Sequence, residues 1–553
     1  MILSGAQMAV KALERNKTEK IFGYPGAAIC PLLDKLSESA IEYILVRNEQ
    51  GAAHMASGYA KASKKTGVCS ATSGPGATNL ITGIATAFMD SVPMVIITGQ
   101  VSLEMVGSDA FQEIDITGAT APFTKHNYLV KKVADIPRVI DEAFYLAATG
   151  RPGPVLVDIP MDVLLAEYDY PEDSAPIKIR GYNPTTKINK NQVKKAIKAI
   201  TSSKRPVILA GGGIVSSDAT AEFREFAKKL AVPVISTMTA IGTLPVGDEQ
   251  YFGMVGSHGK KAANIILNHA DAVLVLGARL GDRSIANLDN KKPPKLIHID
   301  IDPAELGKNL RPDISVVGDI RDFINTALPY IGEYRTAREW LEFAKKVRLE
   351  NEDKLSSADN GYVNPRLFIK LLSEKASENA FITTEVGQNQ IWTVNYYNFT
   401  SPRQLITSAG FGTMGYGLPA AIGAYEASGG QVIAVMGDGS FQMDFCELAT
   451  LKSRGAPIKM ILFENKRLGM VCEYQYMDYG SNFYSVDLKG NPDFAKLAAS
   501  YGIKSEKITK NSEAASAIDR LLAGNCPYLL VVSVNPDEPT GDAMNNKLLR
   551  KEI

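Results

Sequence analysis

Two hydrophobic patterns alternate along the chain. Short runs rich in β-branched residues are separated by stretches whose apolar positions recur with helical spacing. IEYILV, TGVCSAT, VPMVIIT and GPVLVDIP punctuate residues 1–165, with Gly-rich turns between them. RPVILAGGG, VPVIST, AVLVLG and KLIHIDID form a second set within residues 187–322. A third set, AFITTEVG, QLITS, QVIAVMGDGS, IKMILFEN and PYLLVVSVNP, lies within residues 361–536. Continuous apolar strands alternating with helices predict parallel sheets covered on both faces. The expected fold class is therefore α/β, as three consecutive doubly wound parallel-sheet domains. The segment AEYDYPEDSAPIKIRGYNPTTKINKN is Pro-rich, charged and aperiodic and reads as a linker. The charged stretch TAREWLEFAKKVRLENEDKL reads as a helix bridging to the last domain.

Composition narrows the function classes. A chain of 553 residues is too long for one core and suggests domains of about 150 residues each. Net charge is zero, which argues against a nucleic-acid or polybasic membrane partner. The five cysteines are scattered, odd in number and without a C-x-x-C pair, as expected in a reducing cytosol. MILSGAQMAVKALERNKTEK has the pattern of an amphipathic helix, not of a signal peptide. No apolar run approaches the roughly 18 residues of a membrane span. A cytoplasmic location is expected.

The chemistry is written at the strand ends. QVIAVM leads into Gly437-Asp438-Gly439-Ser440, and the following stretch FQMDFCELATLKS reads as a helix; IKMILFE leads into Asn465. Polar residues at the carboxyl ends of adjacent parallel strands form the usual ligand crevice of an open sheet. Glycines let backbone N–H groups approach an anion, and the following helix start favours diphosphate. Mg²⁺ takes hard oxygen donors and often shares them with phosphate; Asp438 and Asn465 each offer one. A lone G-D-G-S could be a plain turn. Paired with an asparagine closing the next strand, it resembles the thiamin diphosphate fingerprint. Such enzymes use a carboxylate against the cofactor's aminopyrimidine ring. Glu49 stands where a strand meets a helix start, facing the positive end of the dipole. Thr72 to Asn79, TSGPGATN, follows the next strand; its glycines permit close approach to a flat ring, with Pro75 and Asn79 beside it.

Longer blocks carry a more specific resemblance. FGYPG, EQGAAHMA, TSGPGATN, DAFQEIDI, TKHN, TGRPGPVLVDIP, GTMGYGLPAAIGA, GDGSF and LGMV resemble the acetohydroxyacid synthase (acetolactate synthase) catalytic large subunits, in that family's order. The resemblance implies an N-terminal pyrimidine-binding domain, a central FAD-binding-like domain and a C-terminal diphosphate and Mg²⁺ domain. It implies thiamin diphosphate, Mg²⁺ and FAD as cofactors. Glu49 would activate the cofactor, and Met414 would hold its two rings in a bent arrangement. Gln388 and Asn389 would contact the diphosphate, with Gly437, Gly439 and Ser440. Asp438, Asn465 and the backbone carbonyl of Arg467 would hold Mg²⁺. Ala27, Phe111, Gln112, Lys125, Met470 and Tyr474 fall on positions lining that family's active site. Arg283, after Asp282, would hold the carboxylate of the second keto acid, for which a guanidinium is well shaped. Arg151, His258, Arg279, Asp300 and Asp319 match the FAD positions.

The implied reaction decarboxylates pyruvate and ligates the remaining two-carbon unit to pyruvate or 2-ketobutyrate. That is the first common step of branched-chain amino acid synthesis. Implied partners are small 2-keto acids, a further one or three copies of the chain in a homodimer or homotetramer, and a small regulatory subunit. Several positions depart from the pattern: Asn48 replaces a histidine, Ala27 a glycine, Ser257 a methionine and Glu464 an asparagine. LGMV continues Cys472-Glu473-Tyr474 instead of Arg, Gln, Trp. Since one methylene in an apolar pocket is worth about 1–3 kcal/mol, Tyr474 predicts a weaker preference for 2-ketobutyrate. Rival readings are a pyruvate oxidase, a 2-keto acid decarboxylase, or a catalytically silent cofactor-binding protein. The decarboxylase reading is disfavoured because none of the five histidines are adjacent.

Overall fold

The computed structural model describes residues 1–170, 177–185, 187–285, 288, 294–332 and 337–541. The first domain holds β1 (Ile2–Ser4), β2 (Lys20–Gly23), β3 (Glu42–Leu45), β4 (Gly67–Ala71), β5 (Met94–Gln100), β6 (His126–Leu129), β7 (Pro154–Pro160) and β8 (Glu167–Asp169). Six of these form one parallel sheet in the order β3-β2-β4-β5-β7-β6. The middle domain holds β9 (Pro206–Ala210), β10 (Val234–Ser236), β11 (Tyr251–Met254), β12 (Ala272–Leu276), β13 (Lys295–Asp300) and β14 (Ile314–Val317), ordered β11-β10-β9-β12-β13-β14. The third holds β15 (Phe381–Thr384), β16 (Leu405–Ile406), β17 (Val432–Gly437), β18 (Lys459–Glu464), β19 (Lys504–Ile508) and β20 (Tyr528–Ser533), ordered β16-β15-β17-β18-β20-β19.

All pairings in these three sheets are parallel, so the three-domain α/β expectation holds. β5, β7, β9 and β12 are buried along their whole length, because helices cover both faces. Numbered within its own six-stranded sheet, the strand order is 2-1-3-4-6-5 in both the first and third sheets. The sequence carries no visible repeat, yet the outer domains share one topology. The middle sheet has the 3-2-1-4-5-6 order of dinucleotide-binding folds.

Three local readings need correction. The N-terminus is not helix throughout: β1 precedes the helix Gly5–Arg15 and pairs antiparallel with β8. The linker therefore begins as a strand, and it ends where Asn189 caps the helix Lys190–Thr201; its residues 171–176 and 186 lie outside the described residues. The charged helix Ala337–Glu350 is more than a bridge, although Thr336, which opened that reading, is also outside them. Trp340 is buried in the middle domain's core, stacked on Phe343, and its indole N–H donates to the Pro206 carbonyl at 2.9 Å.

The outer domains meet through the helices Glu49–Ser63 and Gly417–Ser428. Contact is backbone-close: a methyl on Gly58 would lie 2.2 Å from the Ala420 carbonyl oxygen, and one on Gly423 1.9 Å from that of Met55. Lys61 bridges the same seam, donating to Asp90 at 2.8 Å and to the Thr407 carbonyl at 2.7 Å. Among the described residues no helix is long and apolar enough to cross a membrane.

Candidate active site

In the third domain β15 and β17 mark the point where strand order reverses, and their carboxyl ends open a crevice. β17 delivers Asp438, which starts the helix Asp438–Asp444; the predicted longer helix breaks there and resumes at Leu448–Arg454. β18 delivers Asn465, and β15 leads to Gln388 and Asn389 at the start of the helix Gln388–Tyr396. All four side chains are buried. Asn465 donates to Gln388 Oε1 at 2.9 Å, and its own carbonyl accepts from the Arg467 N–H at 3.0 Å. Asp438 Oδ2 accepts from the Lys466 N–H at 2.7 Å and from Asn491 at 3.0 Å. Burial nonetheless raises its carboxyl to about 7, aided by the nearby Glu464.

Space here is set by missing side chains. A methyl on Gly469 would lie 1.9 Å from Gln388 Oε1. One on Gly439 would lie 2.9 Å from Leu468 and 3.8 Å from Met414 Cε, which places Met414 beside the G-D-G turn. Asn389 Oδ1 is buried without a hydrogen-bond partner, and its amide nitrogen borders Gly437. A cleft of about 510 Å³ runs along Asn465, Arg467, Gly490 and Asn491. The Arg467 guanidinium is drawn aside by Asp487 at 2.8 Å and Asp537 at 2.7 Å. Ser440 turns its hydroxyl back onto the Gly437 carbonyl at 3.1 Å.

The first domain presents the equivalent carboxyl edge. Glu49 is buried at the start of its helix, with Asn48 as cap. Asn79 donates to Glu49 Oε2 at 2.9 Å, while Oε1 looks into the space left by Gly76, 3.3 Å from where a methyl would stand. Gln112 packs on Gly74 with a left-handed backbone, φ +59°, beside the exposed Phe111 and near Pro75. Ala27 is exposed after β2. Lys125 is not brought to this edge. It precedes β6, at the amino end of the sheet, where its ammonium is held by the carbonyls of Leu146 and Thr149. Burial lowers its pKa to about 8.

At the carboxyl edge of the middle sheet stand Arg279, Asp300 and Asp319, joined from the first domain by Arg151. Arg151 pairs with Glu305 at 2.7 Å and Asp302 at 3.2 Å. Asp300 is raised by burial to about 6, and Asp319 caps the helix Ile320–Ala327. His258 and Arg283 meet on a second face: the Ser257 N–H donates to the Arg283 carbonyl, and Asn395 of the third domain donates to the His258 carbonyl. Arg283 is exposed, with Asp282 3.7 Å away. Met470 and Tyr474 lie on the helix Gly469–Asp478, where Tyr474 is half exposed against Tyr479.

Sequence reasoning missed two further sets. Glu473, noted only as a departure, is half-buried and accepts from Gln388 at 2.8 Å and from the Thr540 N–H at 2.6 Å. The glycines 211–213 close tightly on Gly277 at the β9–β12 switch point, where a methyl on Gly211 would lie 2.2 Å from the Gly277 carbonyl oxygen. The run of three glycines after a strand was the available signal.

Comparison with known proteins fits this layout. Residues 3–119 match the thiamine pyrophosphate enzyme N-terminal TPP binding domain, 193–327 the central domain and 385–532 the C-terminal TPP binding domain. The chain is 43% identical to a probable acetolactate synthase large subunit of Methanocaldococcus jannaschii, over 98% of this chain and 95% of the relative. It is 40% identical to the acetolactate synthase isozyme 2 large subunit of Escherichia coli, over 99% and 100%. The acetolactate synthase large subunit of Haemophilus influenzae also matches at 40%, over 99% and 98%.

The chain belongs to the acetolactate synthase large subunits.

As a member of that family it is a thiamin diphosphate enzyme. Its Asp438 crevice lies in the segment matched as the C-terminal TPP binding domain, and Glu49 in the one matched as the N-terminal. Among the described residues no three His, Cys, Asp or Glu side chains converge as a metal site. The third-domain oxygens expected to hold the cation are one carboxylate, one amide oxygen and one backbone carbonyl. So few charges suit Mg²⁺ only if a diphosphate supplies the remainder.

Proposed function

We propose that this acetolactate synthase large subunit joins two 2-keto acids, forming acetolactate from pyruvate alone and acetohydroxybutyrate when 2-ketobutyrate accepts. The observation that carries the reading is the division of polar groups between two crevices: an oxygen-donor set at Asp438, Asn465 and Gln388, and a separate buried acid at Glu49. Thiamin diphosphate, when bound, supplies an acidic carbon and an electron sink for decarboxylation and ligation. Asp438, Asn465 and the Arg467 carbonyl would hold Mg²⁺, and the Asn389 side-chain amide N–H beside Gly437 would donate to the diphosphate end. Met414, beside Gly439, would support the ring system. Glu49 Oε1, facing the Gly76 opening, would hand a proton to and from the aminopyrimidine nitrogen, with Asn79 fixing the other oxygen. Arg283, exposed and only loosely paired with Asp282 at 3.7 Å, would receive an acceptor's carboxylate, and Tyr474 and Met470 would border its alkyl group.

Glu49 hydrogen-bonds within its own domain, so the reading pairs it with the Asp438 crevice of a second copy. The exposed aromatics Phe111, Phe411, Tyr474 and Tyr484 would be covered in that assembly. The relatives' designation as large subunits supports a small regulatory partner. FAD fits the carboxyl edge of the middle sheet, where Arg279, Asp300 and the 211–213 glycines meet at the switch point of a dinucleotide-type sheet. Five cysteines without a disulfide suit the cytoplasm.

The test is incubation with pyruvate, Mg²⁺ and thiamin diphosphate, followed by acid. Acetoin after acid treatment reports acetolactate. Acetaldehyde and CO₂ alone would assign a decarboxylase, and no turnover a silent binder. Glu49→Gln should remove most activity; full activity would refute Glu49 as the activating acid.

A further inference from the structure

Glu447 is fully buried in the third domain, at the end of the helical stretch that Asp438 begins. Its carboxylate crosses the domain boundary. Oε1 accepts from the backbone N–H of Arg47 at 2.9 Å and of Asn48 at 3.1 Å, the two donors immediately before Glu49. Oε2 accepts from the Thr450 hydroxyl at 2.6 Å. Gly51 leaves room for the contact, since a methyl there would lie 2.6 Å from Oε1. A carboxylate taking two successive N–H groups at a helix start is a strong, charge-assisted anchor. Glu49's own carboxylate accepts from Asn79 on Oε2, while Oε1 lies against the backbone of Gly76. Its aim is therefore set mainly by where its backbone is held.

We propose that Glu447 is the positioning residue for Glu49, fixing the acid's backbone to the third domain of its own chain. The proposal rests on the reading of Glu49 as the cofactor-activating acid. It also means that each chain ties the helical stretch beginning at Asp438 to the acid it contributes to the neighbouring site.

The experiment uses the full enzyme loaded with thiamin diphosphate and Mg²⁺. It measures the rate at which the C2 proton of bound thiamin diphosphate exchanges with D₂O, beside kcat, KM for pyruvate and the melting temperature. Glu447→Ala should slow exchange by about 10- to 100-fold and lower kcat in step, with KM unchanged. Glu447→Gln, which keeps one acceptor, should fall between Ala and wild type. The double variant Glu49→Gln/Glu447→Ala should exchange no more slowly than Glu49→Gln, because both act through one group. If Glu447→Ala does not fold, Gly51→Ala decides: the methyl crowds Oε1, but alanine's helix propensity returns about 1 kcal/mol, so exchange should slow in a variant that still folds. Wild-type exchange in Glu447→Ala or Gly51→Ala, or a double variant losing the product of both single effects, would overturn the proposal. Wild-type exchange in Glu49→Gln would instead remove the reading of Glu49 beneath it.

Discussion

Gly469→Ala is the sharpest probe of the third-domain crevice. The added methyl would lie 1.9 Å from Gln388 Oε1 and 2.9 Å from Asn465 Nδ2, so Gln388 must leave its place. Leaving breaks its hydrogen bonds to Asn465, Glu473 and the Glu538 carbonyl. Two neutral bonds at about 1 kcal/mol and one to a carboxylate at about 1.5–3 total about 3.5–5 kcal/mol of lost fixation. Alanine's better helix propensity returns about 1 kcal/mol, since residue 469 opens a helix. Part of the remainder should appear as disorder of Asn465, raising half-saturation for Mg²⁺ and thiamin diphosphate about 10- to 100-fold. That corresponds to about 1.4–2.8 kcal/mol. Activity titrated with each cofactor at saturating levels of the other gives the number. Trp392, on the helix that begins at Gln388, offers a fluorescence readout independent of turnover. A variant that folds and binds both cofactors with wild-type half-saturation would refute the idea that Gln388 holds Asn465 in place.

Three other outcomes are expected. Tyr474→Trp should raise the share of acetohydroxybutyrate in a pyruvate/2-ketobutyrate competition by about 10-fold; an unchanged product ratio would mean residue 474 does not border the acceptor. His54 is fully buried with neither ring nitrogen partnered, and burial lowers its pKa to about 3. The unfolded chain therefore binds the extra proton between about pH 6.5 and 3, and this contribution to stability is lost as pH falls through that window, by up to about 1.4 kcal/mol per unit. His54→Phe should flatten the acid limb of a denaturation-versus-pH curve relative to wild type, and parallel curves would contradict the assignment. Trp340→Ala should cost about 3–5 kcal/mol in denaturant unfolding of the middle domain, against almost nothing if Ala337–Glu350 were only a bridge.

The parts legible in the sequence were those encoded locally. β-branched runs buried on both faces announce themselves, and Asp438, Asn465 and Glu49 stand directly at strand ends where ligands gather. Short edge strands were not visible: β6, β14 and β19 are four or five residues long and have intermediate or exposed positions that blur their pattern. Neither was anything that depends on distant pairing, such as β1 on β8 or Trp340 on Pro206. Lys125 shows what a motif does not carry: the direction of β6 sets it at the opposite end of the sheet from Glu49 of the same chain. Glu473 and Glu447 escaped because an acid in a helix reads as solvated surface until its neighbours are known.

The shared 2-1-3-4-6-5 strand order has a consequence for the two edges of the chain. Two sheets of one topology, packed helix to helix along Glu49–Ser63 and Gly417–Ser428, present carboxyl edges that are alike in backbone and unlike in side chains: a buried acid at Glu49 in one, Asp438 with Asn465 in the other. The two edges of a single chain therefore match in shape and cannot exchange roles.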